Sequence, residues 1–136
     1  MAEPRPAFPA VCEWTESIVS IPTYFCYDAF TDHVVVIISQ IPSFGTILHA
    51  RVDVPDAVGV PSTTPIVRTL LGERDDTRAE LLARRLFEGS RARGDERALV
   101  VCVGLAAPAA GRDDTTATVR ALANAVDERA RVGLTV

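Results

Sequence analysis

Polar and apolar residues change rhythm several times along this chain. Leu48, Ala50, Val52 and Val54 alternate with Ile47, His49, Arg51 and Asp53. Successive strand side chains point to opposite faces, so one set faces a core and the other mostly water. Residues 34–38 are instead an unbroken β-branched run, which reads as a central strand covered on both faces. Residues 98–103 form a second fully apolar strand. Residues 11–19 and the aromatic-rich 24–30 add two more, with a turn or edge at Ile21-Pro22. Residues 66–71 add another, ended by Gly72, and Pro42-Ser43-Phe44-Gly45 reverses the chain before the alternating strand.

From residue 73 to 89 the rhythm becomes helical. Ala79, Leu82, Ala83 and Leu86 fall on one face, Thr77 and Glu80 have capping-box spacing, and Gly89 is expected to end the helix. Residues 106–111 form a connection. A last helix follows, with the stripe Val119, Leu122, Ala123 and Val126. Asp113 or Asp114 can cap it, Asp127 and Arg131 can pair one turn apart, and Gly133 ends it. Five strands precede the first helix, against the strand–helix alternation of a doubly wound sheet. The expected fold class is α+β: about six strands in a mainly antiparallel sheet, with two α-helices packed on it. Residues 1–10, with Pro4, Pro6 and Pro9, read as a disordered Pro-rich tail, and 11–136 as a single domain.

Composition narrows the chemistry. The 136 residues carry a net charge of −4, and all 14 basic residues are arginine. Without lysine, neither a Walker-type phosphate lysine nor a Schiff base is available. Residues 73–97 look basic until counted: their arginines and acids balance, so the stretch reads as a solvated face and not a nucleic-acid site. The cysteines, Cys12, Cys26 and Cys102, are odd in number and lack CxxC spacing. Reduced thiols in a cytoplasmic setting fit better than a disulfide scaffold or zinc site. Cys26 and Cys102 lie in apolar strands and read as core residues. The start lacks the apolar core of a signal peptide, and no apolar stretch approaches the roughly 20 residues of a spanning helix. No GxSxG, HExxH, EF-hand or GxGxxG pattern occurs. His33 and His49 have no triad or ligand partners nearby in sequence. Asp75-Asp76 and Asp113-Asp114 are explained by helix capping. No catalytic residue, metal or cofactor is expected.

Several stretches together resemble a known family. They are Ile21-Pro22-Thr23-Tyr24-Phe25-Cys26 with Ala29-Phe30; Asp32-His33-Val34 through Ile38-Ser39-Gln40 with Phe44-Gly45-Thr46; Leu70-Leu71-Gly72; and Arg97-Ala98-Leu99-Val100-Val101. In order and spacing they are similar to the third member of the eukaryotic proteasome assembly chaperones, over roughly residues 12–130. The resemblance implies a non-enzymatic chaperone without cofactor. It would bind proteasome α-type subunits and promote assembly of the 20S α-ring, as a dimer with a second small chaperone. A homodimer of the isolated chain is a further implied state. Location would be cytoplasmic, with the nucleus as a second site. The turn at Pro42, the long 106–111 connection and the first ten residues depart from the family pattern.

Two regions are candidates for protein binding. The Pro-rich loop after the alternating strand contains Asp53, Val54, Pro55, Asp56, Val58, Val60, Pro61 and Thr63. It corresponds to a mobile loop of the family, and both recognition and an inert connection stay open. Trp14, with Ile18 and Phe87, is a large apolar group that can supply an interface or a core. Trp14→Ala is expected to weaken dimer formation more than folding. An enzyme or ligand-binding domain built from His33, His49 and Asp32 is the alternative, marked by a deep polar pocket holding both histidines. A trafficking or roadblock-like scaffold is a third reading.

Overall fold

The computed structural model describes residues 10–42, 45–52, 65–107 and 115–132. Its elements are β1 (Ala10–Ile18), β2 (Ile21–Ala29), β3 (His33–Ser39), β4 (Thr46–Val52), β5 (Pro65–Gly72), α1 (Thr77–Ala92), β6 (Ala98–Gly104) and α2 (Thr115–Val132). The strands form one six-stranded sheet in the order β1-β2-β3-β6-β4-β5. Every ladder is antiparallel except that of β3 with β6. The expected α+β class, with a mostly antiparallel sheet and two helices, is what the chain adopts. The two unbroken apolar runs are the two central strands, and they form the parallel pair.

The parallel register is held at its start by Arg97. Its Nε and Nη2 donate to the two carboxylate oxygens of Asp95 at 2.9 and 2.7 Å, and its Nη1 donates to the Phe30 carbonyl at 2.5 Å. The guanidinium beside Asp95 holds that carboxyl below its ordinary value. One side chain thereby fastens the β2–β3 turn to the segment entering β6.

Both helices lie on one face of the sheet. α1 packs on β4, β5 and β6, and α2 packs on α1 and β1. The expected stripes are the buried ones: Ala79, Leu82, Ala83 and Leu86 on α1, and Val119, Leu122, Ala123 and Val126 on α2. They meet Phe25, Tyr27, Val34, Val36, Ile38, Leu48, Ala50, Leu99, Val101 and Val103 from the sheet. Phe87 is fully buried among them, as ordinary core packing requires. No described helix is long and apolar enough to cross a membrane.

The helix ends depart in part from the pattern expected of them. Asp76 caps α1, as the Asp75-Asp76 pair before the helix implies, and the Thr77–Glu80 capping box does not form the cap: Asp76 is extended, and its carboxylate accepts from the Ala79 N–H at 3.2 Å. A carboxylate at that position also meets the positive end of the helix dipole. Gly89 does not end the helix but lies inside it. A Cβ there would stand 2.5 Å from the Asp127 carboxylate of α2, so glycine permits the two helices to approach. Asp127 also accepts a hydrogen bond from Arg93, which ties the end of α1 to α2. The left-handed residue after α1 is Gly94, at φ 85°. Asp113, Asp114 and Gly133 lie outside the described residues.

The first strand begins at Ala10, within the expected tail, and the first turn is tighter than expected. Ile21 and Pro22 belong to β2, and the turn is Val19-Ser20. Pairing of β2 with β3 begins only at Tyr24, so the N–H that Pro22 lacks is not missed there. A two-residue hairpin of type I′ has positive φ at both central positions, and Val19 and Ser20 adopt 51° and 66°. That conformation is costly for a β-branched residue. Val19→Asn with Ser20→Gly is therefore expected to stabilise the chain by roughly 1 kcal/mol, raising Tm by about 3–5 °C in calorimetry. An unchanged or lower Tm would contradict this reading of the turn.

Trp14 does not supply a free surface. It is 9% exposed and stacks on Phe25 with centroids 4.9 Å apart and rings 5° from parallel. Its Nε1 donates to Glu16 at 3.0 Å, and the Arg129 guanidinium of α2 lies 4.9 Å from the ring centre. The reason is pleat parity: Trp14 sits opposite Phe25, on the helix-covered face. The expected order of effects is thus reversed. Trp14→Ala should cost about 3–5 kcal/mol of stability, with any loss of association following from unfolding. A variant that melts normally but no longer associates would contradict this.

Candidate functional site

The opposite face of the sheet is the candidate site. Strand parity places Cys26, Val35, Ile37, Val100, Cys102 and Ile47 on it. In the ladders, Cys26, Ile37, Cys102, Ile47 and Leu71 stand side by side across five strands, as do Asp28, Val35, Val100, His49 and Arg68. None of these residues belongs to the cluster that packs under the helices. Val35, Ile37, Val100, Cys102 and Ile47 are half-buried, packed only against their sheet neighbours, and Leu71 is 67% exposed. Among the described residues no element covers them. Both cysteines were expected to be core residues: Cys26 is buried, as expected, though on this face, while Cys102 is only half-buried. Burial pushes both thiols up, with the Glu13 carboxylate adding to the effect at Cys26, so both behave as small neutral hydrophobes.

Charge on this face is divided by side. Glu13 on β1 and Asp28 on β2 flank the apolar centre at one edge, and His49, Arg51 and Arg68 on β4 and β5 flank it at the other. Asp28 is half-buried, and its Oδ1 is shielded from solvent with no hydrogen-bond partner among the described residues. His49 is held below the ordinary imidazole value, first by burial and then by the nearby charges of Arg51, Arg68 and His33. This arrangement has an apolar centre, a polar rim and an oriented charge pair, which is the anatomy of a protein-docking surface.

The histidines do not assemble a catalytic group. His33 Nδ1 lies 2.6 Å from Asp32 Oδ1, and its ring stacks on Phe30 at 4.6 Å. The Asp32 carboxyl is lowered by that hydrogen bond. His33 is on β3 and His49 on β4, with β6 between them, so their strands are about 10 Å apart. Among the described residues no group of three or more potential ligands could hold a metal ion. The loop candidates Asp53, Val54, Pro55, Asp56, Val58, Val60, Pro61 and Thr63 lie outside the described residues. The open face itself was missed as a site, although the unbroken run at 34–38 is its signal.

The fold and sequence are similar to known proteins. A comparison with curated protein sequences finds no match. A chain from the crystal structure of a novel chaperone complex for yeast 20S proteasome assembly superposes with a TM-score of 0.57 at 10% identity. The match covers 84% of this chain and 96% of that one, and at this identity it speaks for the fold. The family model for proteasome assembly chaperone 3 matches residues 36–129, which take in the second half of β3, all of β4, β5, α1 and β6, and most of α2. This chain belongs to the proteasome assembly chaperone 3 family.

Proposed function

We propose that this protein is a non-enzymatic chaperone that binds α-type subunits of the 20S proteasome and promotes assembly of the α-ring. It works as a dimer, with a second small chaperone docked on the open sheet face. The observation that carries the reading is that two central strands are apolar on both faces while the helices cover only one. Apolar surface of this kind is completed by a protein partner. Family membership and the likeness to a chain of a proteasome-assembly complex supply the partner class. The loop at Asp53, Val54, Pro55, Asp56, Val58, Val60, Pro61 and Thr63 joins β4 to β5 and is assigned to α-subunit recognition. The site of action is the cytoplasm, with the nucleus as a second location.

Affinity capture of the tagged chain from its own cells, read by mass spectrometry in mild salt, tests this. α-Type subunits and a second small chaperone are expected without mature β-subunits; a folded, abundant bait that captures neither would overturn the reading. Ile37→Asp places a charge in the centre of the face and should weaken capture of the small chaperone at least about tenfold. Its circular dichroism spectrum should remain that of the parent chain.

A further inference from the structure

We infer that an extended, acid-bearing segment of the α-type subunit adds to the sheet as a further strand, along the free edge of β5 and beside α1. This deepens the proposed function and rests on it.

The edge is open to pairing. β5 ends the strand order, and among the described residues it pairs with β4 alone. Every second residue of an edge strand points its N–H and C=O away from its one neighbour, so the edge is a row of unmet donors and acceptors. From Pro65 to Thr69 the register runs without interruption against Val52 to Leu48. It then shifts, and Leu70 has no partner on β4. Leu70 and Leu71 are 59% and 67% exposed, more than any other large apolar side chain among the described residues. The devices that usually guard an edge are sparse here: the proline is at the first position of the strand, and Arg68 is its one charge.

Beside the edge lies a groove, not bare solvent. Val67, Arg68 and Thr69 of β5, Arg74 of the turn before α1 and Glu80 of α1 line a space of about 370 Å³. An extended segment between a strand edge and a helix is a recurring mode of peptide recognition, in which main-chain hydrogen bonds give affinity and alternate side chains give specificity. Val67 and Thr69 stand opposite Ala50 and Leu48, on the helix side of the sheet. Alternate side chains of the added strand therefore enter the groove over them, and the intervening ones fall beside Arg68.

Charge selects the occupant. Glu80 is already paired with Arg84 at 3.7 Å. Among the described residues Arg74 forms no hydrogen bond or ion pair, and Arg68 forms no ion pair. Glu73 and Asp75 adjoin Arg74 in sequence but do not line the groove. The groove thus has two cations to offer and suits a segment that carries carboxylates. The other free edge, β1, bears exposed Glu13 and Glu16 and repels the same segment. In sequence, residues 53–64, assigned above to α-subunit recognition, run directly into Pro65, which makes the α-type subunit the partner next to this edge.

Amide hydrogen exchange of the full chain, alone and with each purified α-type subunit in turn, tests the inference. With the subunit that binds, alternate amides of residues 66–69 are expected to slow at least about tenfold, while those of β1 exchange as before. Arg74→Glu should weaken that subunit about five- to tenfold at low salt and leave capture of the small chaperone unchanged. Its melting should match the parent chain, since Arg74 is exposed. Binding that leaves the β5 amides unprotected would overturn the inference and leave the assembly role standing. So would protection that appears with the small chaperone alone, or that rises with the concentration of the chain alone, since the edge would then take a different occupant. Binding of no α-type subunit would sink both this inference and the proposed function.

Discussion

The structure depends on a sheet whose two central strands are apolar on both faces while its helices lie on one. Covering the first face makes the core. Leu82, Leu86, Phe87 and Leu122 are almost fully excluded from water against Val36, Ile38 and Val101. Burial of each such side chain contributes roughly 1.5–3 kcal/mol, and their sum is what offsets the ordering of the chain. The second face is left half-covered by its own neighbours. The same β-branched residues that make β3 and β6 good central strands thus create an apolar surface that no described element covers. Fold and proposed function are linked at this point, because the strand chemistry that builds the domain also leaves the apolar face on which the proposed partner would dock.

The helix layer is fixed by a few close contacts. Gly89 gives α2 room to approach, Arg93 reaches across to Asp127, and Trp14 closes the far edge between β1 and α2. Arg97 fastens the turn before β3 to the entry of β6, so the parallel pair keeps one register. A rigid parallel pair matters for docking. A shift by one residue would move Val35 and Ile37 to the helix side and bring Val34 and Val36 outward.

Much of this was legible in the sequence. The alternation around Leu48 and Ala50 correctly assigns faces on β4, and the stripes of α1 and α2 are the buried ones. The runs at 34–38 and 98–103 are the central strands. Trp14 stayed open between interface and core because its face depends on pairing with Phe25, and strand register is not visible in a single strand's pattern. Gly89 was misread because a glycine that permits helix approach has the same local signature as one that ends a helix. The open face escaped notice because unbroken apolar runs suggest cover on both sides without saying what supplies it. The charge division across that face arises only when β1 and β2 are placed at one edge and β4 and β5 at the other. That order requires β6, late in the chain, to insert between β3 and β4.

The central claim is that one sheet face is permanently covered and the other is covered only by association. Methyl NMR of the full chain with a soluble paramagnetic agent tests it directly, by comparing dilute chain with the associated form. The account predicts strong relaxation of Val35, Ile37, Ile47 and Val100 methyls at dilution, relieved on association, while Leu82, Leu99 and Leu122 stay protected throughout. Equal protection of both sets at dilution would contradict it, since the face would then already be covered within one chain.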